Sequence, residues 1–164
     1  MSESTSPVID PRHFRTVMGK FATGITVVIA EVDGQVHGMT ANAFVSVSLN
    51  PPLVLVSVDN RAHMKAAIDQ SGRFAISVLR AEMEYISTHF AGRHQEGYEP
   101  VFERRADHPV LVDAIAHIVT KLWAAYPGGD HTLFVGEVVH LESNDEEPVL
   151  YYAGKYRQLQ PMGS

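Results

Sequence analysis

Between Gly38 and Ala43 the chain reads Gly-Met-Thr-Ala-Asn-Ala, flanked on both sides by strongly apolar strand sequence. A core wants bulk at such positions. Gly38 and Ala41 instead leave room for a flat molecule to approach the backbone closely. Thr40 and Asn42 set donors and acceptors beside main-chain N–H groups, and Ser46, Ser48 and Ser57 extend the polar line. Asp59-Asn60-Arg61 then opens a helix. The N-terminus of a helix presents unpaired N–H groups and the positive end of its dipole, and Arg61 adds a full charge, a combination that suits a phosphate. Each residue also has a plainer reading. Ser46 and Ser48 alternate outward on an ordinary strand, and Asn60 caps a helix. Together they describe a site for a flat, hydrogen-bonding, phosphorylated ligand.

Other chemistries are missing. The 164 residues contain no cysteine, which excludes disulfides, thiolate nucleophiles and Cys-ligated metals. There is no G-x-G-x-x-G after a strand, no G-x-x-x-x-G-K-[ST] and no G-x-S-x-G. Among the nine histidines no H-E-x-x-H occurs. His89 and His94, five apart, do not share a helical face, so no metal is expected. A net charge of -6 argues against nucleic acid, which wants a basic face. No apolar run reaches the ~18 residues of a membrane span, and MSESTSPVIDP lacks the basic start and apolar stretch of a signal peptide. A soluble, cytoplasmic protein is expected.

The elements that must position these residues are mostly strands. After a loose tail over residues 1–10, the apolar spacing of Phe14, Val17, Met18 and Phe21 predicts a helix over 11–21, ended by Gly24. Strands are expected at 25–30, 36–40, 44–49, 53–58, 74–79, 116–126, 131–142 and 149–152. Asp33-Gly34 and Asn50-Pro51-Pro52 make turns, and residues 154–157 close the domain. Short helices are expected at 60–71, with Gly72 beyond the end, and at 82–90. Residues 93–108 read as a long loop, and 109–115 are too short to assign. Hairpin-like joins without βαβ alternation predict one domain over 11–160, an antiparallel barrel with short peripheral helices.

The stretches FRTVMGKFATGITVV, HGMTANAFVSVSLNPPLVLVSVDN, SGRFAISVL, FAGR, GDHTLFVGEV and YYAGKYRQL occur in this order. With them the chain resembles the flavin reductase family, the small reductase components of two-component flavin-dependent monooxygenases, from Arg12 to Leu159. The resemblance implies a mainly β, antiparallel Greek-key split β-barrel of the FMN-binding type. It also implies a homodimer that uses NADH or NADPH to reduce FMN or FAD. Reduced flavin then diffuses to a separate oxygenase. Met39, Thr40, Ala41, Asn42 and Ala43 match the segment lining the isoalloxazine and ribityl chain, and Ser46, Val47 and Ser48 its continuation. Ser57, Val58, Asp59, Asn60, Arg61, His63 and Met64 match the phosphate-binding stretch. Phe90, Ala91, Gly92 and Arg93 match a covering loop, and Tyr156 and Arg157 the C-terminal end of the site. His131 matches the catalytic histidine near the nicotinamide.

The chain departs from the family at His63 and Met64, where hydroxyls are common, and at Val119 and Thr120, where an acid and a cysteine are common. Glu137 interrupts an apolar alternation. A partner across the dimer, a barrel arginine and plain solvent exposure are all open for it. Trp123, Tyr126 and Phe134 read as core or dimer contacts, and Asp145, Glu146 and Glu147 as a solvated turn. Two rival functions remain: a flavin-binding carrier or sensor without rapid turnover, and a related oxidase acting on a phosphorylated vitamer. The second needs another basic pocket, which the sequence does not offer.

Overall fold

The computed structural model describes residues 6–163. Part of the expected tail lies outside them, and residues 6–10 are exposed and irregular. The elements are α1 (Pro11–Met18), β1 (Thr23–Gly24), β2 (Thr26–Val32), β3 (Gln35–Ala41), β4 (Phe44–Leu49), β5 (Pro52–Asp59), α2 (His63–Ser71), β6 (Arg73–Val78), α3 (Glu84–Phe90), β7 (Phe102–Arg105), β8 (His108–Leu111), β9 (Ala116–Gly128), β10 (His131–Ser143), β11 (Val149–Tyr152) and β12 (Lys155–Gln158). The fold is mainly β. A seven-stranded antiparallel sheet runs β3-β2-β6-β9-β10-β5-β4, with a small β1-β11-β12 sheet and a β7-β8 hairpin beside it. Among the described residues the main ladder ends at β3 and β4 without closing.

β2 shows why the sheet carries continuous apolar runs. Val28 and Ala30 point into one core, which also takes Val54, Val56 and Val58 of β5, Phe74 and Ile76 of β6, Phe134 of β10, and Met64, Ala67 and Ile68 of α2. Ile25, Val27 and Ile29 point into a second core with Leu79, Met83, Ile86, Leu111 and Val149. A strand buried on both faces loses the polar-apolar alternation of a solvated one. Phe74 and Phe134 are fully buried, and each contributes roughly 1.5–3 kcal/mol by leaving water.

Several expected boundaries move. α1 stops at Met18, where Gly19 caps it, so the helix is shorter than the 11–21 expected and Gly24 instead pairs with Leu150 in β1. No residue of α1 is buried; the apolar spacing at Phe14, Val17 and Met18 makes a face that this chain does not cover. α2 starts at His63 rather than at 60, because Asp59 accepts the Arg61 N–H at 2.8 Å and turns the chain first. α3 begins at Glu84.

The expected loop over 93–108 contains strand. Its second half pairs with part of 109–115 as β7-β8. The turn between them uses Ala106 and Asp107, both at positive φ, a conformation normally announced by Asn-Gly or Asp-Gly. That absent signal hid the hairpin. It is held on β6 by Ser77, whose hydroxyl accepts the Leu111 N–H (3.1 Å) and lies 3.0 Å from His117 Nδ1.

His117 and His108 are buried, and burial pushes both imidazoles below their ordinary value, as it does His89. The sign of the linkage follows. The unfolded chain takes up protons below about 6.5, while these folded rings resist them, so stability is present above that pH and is lost as pH falls through the folded values. Melting temperature should therefore be flat from pH 8 to 7 and decline on acidification toward pH 5. A melting temperature that rises over that interval would contradict the buried placement.

Candidate functional site

Three clefts lie along β3 and the β3–β4 link. The first, about 210 Å³, is lined by Thr40, Ala41, Asn42, Ser87, Ala91, Tyr151 and Tyr156, with Ile25 at its base. The second, about 680 Å³, lies between β3 (His37, Gly38, Met39), the start of α2 (Ala62, His63, Met64) and the end of α3 with its following turn (His89, Phe90, Ala91, Gly92, His94). The third, about 340 Å³ and mostly apolar, has Thr23, Thr26, Asn42, Ala43, Phe44 and Val45 in its wall. Asn42 borders the first and third, and Ala91 the first and second.

Hydrogen bonds hold these walls. Thr40 donates its hydroxyl to the Ser87 carbonyl at 2.6 Å, tying β3 to α3. The Tyr156 hydroxyl donates to Ser87 Oγ (3.0 Å) and lies 3.2 Å from Thr88 Oγ1, tying β12 to the same helix. Phe90 packs directly over Gly38: a Cβ there would stand 2.6 Å from the ring. The small residue at 38 is thus explained by an internal aromatic ring. Ala41 is 8% exposed and its side chain joins the core, so only its main chain borders the cleft. Gly92 has φ +92, the left-handed region that favours glycine.

A second cluster forms where β5 ends and β10 begins. The register sets His131 opposite Asp59 and Thr132 opposite Val58. His131 Nδ1 lies 2.7 Å from Asp130 Oδ1. A carboxylate only accepts, so Nδ1 carries the proton and Nε2 is left as the outward nitrogen. Arg61 makes a two-pronged pair with Asp59, Nε to Oδ1 at 3.2 Å and Nη2 to Oδ2 at 3.1 Å. These bonds hold the Asp59 carboxyl down to about 2. The Arg61 charge is therefore already paired with Asp59 at the surface. His63 and the uncapped α2 N-terminus remain as further groups on which an anion could rest.

The structure thus joins most of the expected residues into one band. It runs from His131 through Asp59, Asn60 and Arg61 to His63, then past Met39, Thr40, Ala41 and Asn42 to Ala91, Gly92 and Tyr156. Ala43 is linked to it, since its carbonyl accepts the Ser57 N–H at 3.2 Å. Three expected side chains point elsewhere: Ala41, Val58 and Met64 are in the core, so they offer chiefly main chain. Ser46, Val47 and Ser48 run away from the corner along edge strand β4, opposite Val54 and Leu53. Arg93 and Arg157 are exposed.

Ser87, Thr88, Tyr151 and Thr132 belong to the site's framework and were not legible, because ordinary helix and strand sequence surrounds them. His89 and His94 stack at 4.4 Å between centroids. The helix ends between them and the chain folds back, with the Gln95 N–H on His89 Nδ1 at 3.1 Å, so helical spacing does not apply. Among the described residues no three His, Asp or Glu side chains are placed to hold a metal, and no helix is long and apolar enough to cross a membrane. Val119 is in the core, and Thr120 donates to the Phe74 carbonyl at 2.8 Å. Glu137 is half-buried opposite Lys121.

The fit to a flat heterocycle can be judged on the third cleft. Its wall is apolar except for a few polar groups, and one of these, Thr23 Oγ1, is buried without a hydrogen-bond partner. A ligand with apolar faces and a polar edge suits such a wall, and the 680 Å³ cleft is of cofactor size. Fold and site together define a mainly β ligand-binding domain walled by main chain and small side chains instead of a glycine-rich nucleotide loop. The Flavin reductase like domain matches residues 18–160. An NADH-dependent flavin reductase from a Rhodococcus species is 44% identical over 160 residues, 96% of this chain and 91% of the relative. The reductase component of the 4-hydroxyphenylacetate 3-monooxygenase of Thermus thermophilus is 40% identical over 147 residues, 89% of this chain and 95% of the relative. The solved flavin reductase PheA2 superposes with a TM-score of 0.91 at 46% identity, over 93% of this chain and 100% of that one. The chain belongs to the flavin reductase family.

Proposed function

We propose that the protein is an NADH-dependent flavin reductase that supplies reduced FMN or FAD to a separate monooxygenase component. The observation that carries this reading is the run of cleft residues from Tyr156 to His63, with His131 set opposite Asp59 just before the α2 corner, on a chain that matches a flavin reductase nearly end to end. When bound, the flavin supplies the hydride acceptor and NADH the hydride, with one further proton completing the reduction. The residues of this chain do the rest. Thr40, Asn42 and main chain at 41–43 hold the ring's polar edge, where amide N–H groups favour the charge that develops on reduction. Phe90, Ala91 and Gly92 cover it, and Tyr156 closes the far end. His63 and the α2 N-terminus take the phosphate, with Arg61 at the rim. His131 stands at the nicotinamide, where Nε2 can hydrogen-bond the dinucleotide or pass a proton.

The fold is read as a split barrel. β3 and β4 are the two edges of the seven-stranded ladder, yet only Asn42 and Ala43 separate them. A flat sheet of seven strands holds its edges ~29 Å apart, while the link from Ala41 to Phe44 spans at most ~11 Å. The sheet must curl strongly, leaving its gap at the Asn42–Ala43 link. The reading includes a homodimer. Phe14, Val17, Met18 and Phe21 near the N-terminus, Val45, Val47 and Leu49 on β4, and Trp123, Tyr126 and Leu141 on β9 and β10 are all exposed, apolar side chains that a second copy of the chain would cover. Light scattering should give twice the 18.1 kDa of one chain; a monomer at all concentrations would remove this part.

The function is tested by mixing the protein with NADH and following the reduced-nicotinamide absorbance with and without free FMN or FAD. Oxidation that depends on added flavin is the expected result. A protein that holds flavin tightly and oxidises no NADH would replace the reductase with a flavin carrier.

A further inference from the structure

Asn60 stands in the stretch expected to meet phosphate, but its side chain is turned to another use. Its Oδ1 accepts the Thr132 hydroxyl at 2.6 Å. Its Nδ2 reaches the Gly129 carbonyl at 3.5 Å, the outer limit of a hydrogen bond, and its main-chain N–H donates to the Asp130 carbonyl at 3.0 Å. The three contacts fall on residues 129, 130 and 132. They bracket His131 from both sides.

The main chain of His131 lies in the sheet between Asp59 of β5 and Gly128 of β9, but its side chain has few other restraints. It is the first residue of β10, next to a turn that passes through Gly129 at φ +69. The carboxylate that meets its ring belongs to Asp130, whose side chain is 87% exposed, so that contact is weak and screened. The direction of the imidazole is therefore set chiefly by the backbone from 129 to 132, which the ladders to β5 and β9 hold at 131 and 132 and which Asn60 fastens further across the turn. Asn60 in turn lies between Asp59 and Arg61, whose side chains are locked to each other.

We propose that Asn60 and Thr132 are a pair of positioning residues for hydride transfer. They clamp the β9–β10 turn to the corner preceding α2, so that the segment meeting the flavin's phosphate and the histidine meeting the nicotinamide move as one body. The proposal rests on the reductase reading and on the place it gives His131. It assigns Asn60 to the histidine turn, not to the phosphate, and it gives a role to Thr132, which follows His131 in the GDHTLFVGEV stretch. Neither side chain touches the reacting atoms. Their effect belongs in kcat and not in flavin affinity, because loss of alignment slows the step while the binding walls at β3 and α3 stay intact.

The test compares Asn60→Ala, Thr132→Val, the double variant and Thr132→Ser, with His131→Ala in parallel. Each is assayed for steady-state NADH oxidation with added flavin and for flavin affinity by fluorescence titration. Asn60→Ala and Thr132→Val should each lower kcat on the order of tenfold, with flavin affinity within about twofold. The double variant should lose no more than Asn60→Ala, since the Asn60–Thr132 hydrogen bond that Thr132→Val removes is already gone in it. Thr132→Ser, which keeps the donor, should recover most of what Thr132→Val loses; a residue needed only for folding would not divide the constants this way.

A tenfold loss of flavin affinity in Asn60→Ala with kcat intact would make Asn60 a phosphate ligand and overturn the clamp. Additive losses in the double variant would overturn it as well. If Asn60→Ala does not fold, the two Thr132 variants carry the same decision. The failures are separable. Parental turnover in His131→Ala removes the reading on which the clamp rests and the clamp with it, whereas loss in His131→Ala without loss in the Asn60 and Thr132 variants removes the clamp alone.

Discussion

Replacing His131 by alanine lowers kcat for flavin-dependent NADH oxidation by on the order of a hundredfold, the lower end of what a positioned acid–base group contributes. The magnitude follows from the placement. The imidazole is half-buried at the rim, so water can replace part of its hydrogen bonding, and a larger loss is not expected. Its Nδ1 faces the exposed Asp130 carboxylate at 2.7 Å, which leaves Nε2 to meet a second molecule. Flavin affinity should change little, because the clefts are lined by β3, α2, α3 and the C-terminal hairpin and not by this side chain. Asp130→Asn should cost far less than His131→Ala, since an exposed ion pair contributes little. Stopped-flow reduction by NADH at saturating flavin, with a parallel fluorescence titration, reads both numbers. Parental turnover in His131→Ala would detach the histidine from the chemistry, and a joint loss of turnover and flavin affinity would make it part of the flavin site.

Gly136→Val removes most of the fold's stability. Gly136 sits at an irregularity in the β9–β10 register and pairs with Val54 of β5, in the middle of the sheet. A Cβ there would meet the Thr120 hydroxyl, stand 2.6 Å from Thr120 Cβ and 2.7 Å from the ring of Phe74. Neither neighbour can yield cheaply. Thr120 is fully buried and spends its hydroxyl on the Phe74 carbonyl, and Phe74 is among the largest fully buried side chains. Replacing glycine by a residue with a Cβ stiffens the unfolded chain and can stabilise by ~0.4–1 kcal/mol. Overpacking costs ~1–3 kcal/mol for a modest insertion and more for a branched one, and a broken buried hydrogen bond adds ~1–3 kcal/mol. The steric terms win. Against a total of roughly 5–15 kcal/mol, Gly136→Val should leave a marginal or unfolded chain, with Gly136→Ala intermediate. Urea denaturation followed by tryptophan fluorescence measures both midpoints. A Gly136→Val midpoint equal to the parent's would mean that Thr120 and Phe74 do not close over this strand.

The local elements were largely legible in the sequence, and the reason is physical. Burial on both faces of β2 demands an apolar run, Asp33-Gly34 supplies the positive φ of a hairpin turn, and Gly72 ends α2 in the left-handed region. These are short-range requirements that leave their mark on adjacent residues. Where the mark was atypical the reading failed. Ala106 and Asp107 turn a hairpin without glycine, and the apolar face of α1 finds no cover within one chain, so its spacing predicted a longer packed helix.

The candidate site divides the same way. The order of motifs along the chain carried the resemblance to the family before any coordinate, whereas the room for a flat ligand read from Gly38 and Ala41 did not survive, since Phe90 fills one and the core takes the other. What only the tertiary structure decided is which atoms are spoken for. It gave Phe90 the space above Gly38, turned the Ala41, Val58 and Met64 side chains inward, paired Arg61 with Asp59 and fastened Asn60 to Thr132, a residue 72 positions away. A residue's type is written in one place, but whether its hydrogen bonds and surface are already used depends on partners that the fold brings from elsewhere in the chain, and no local pattern records them.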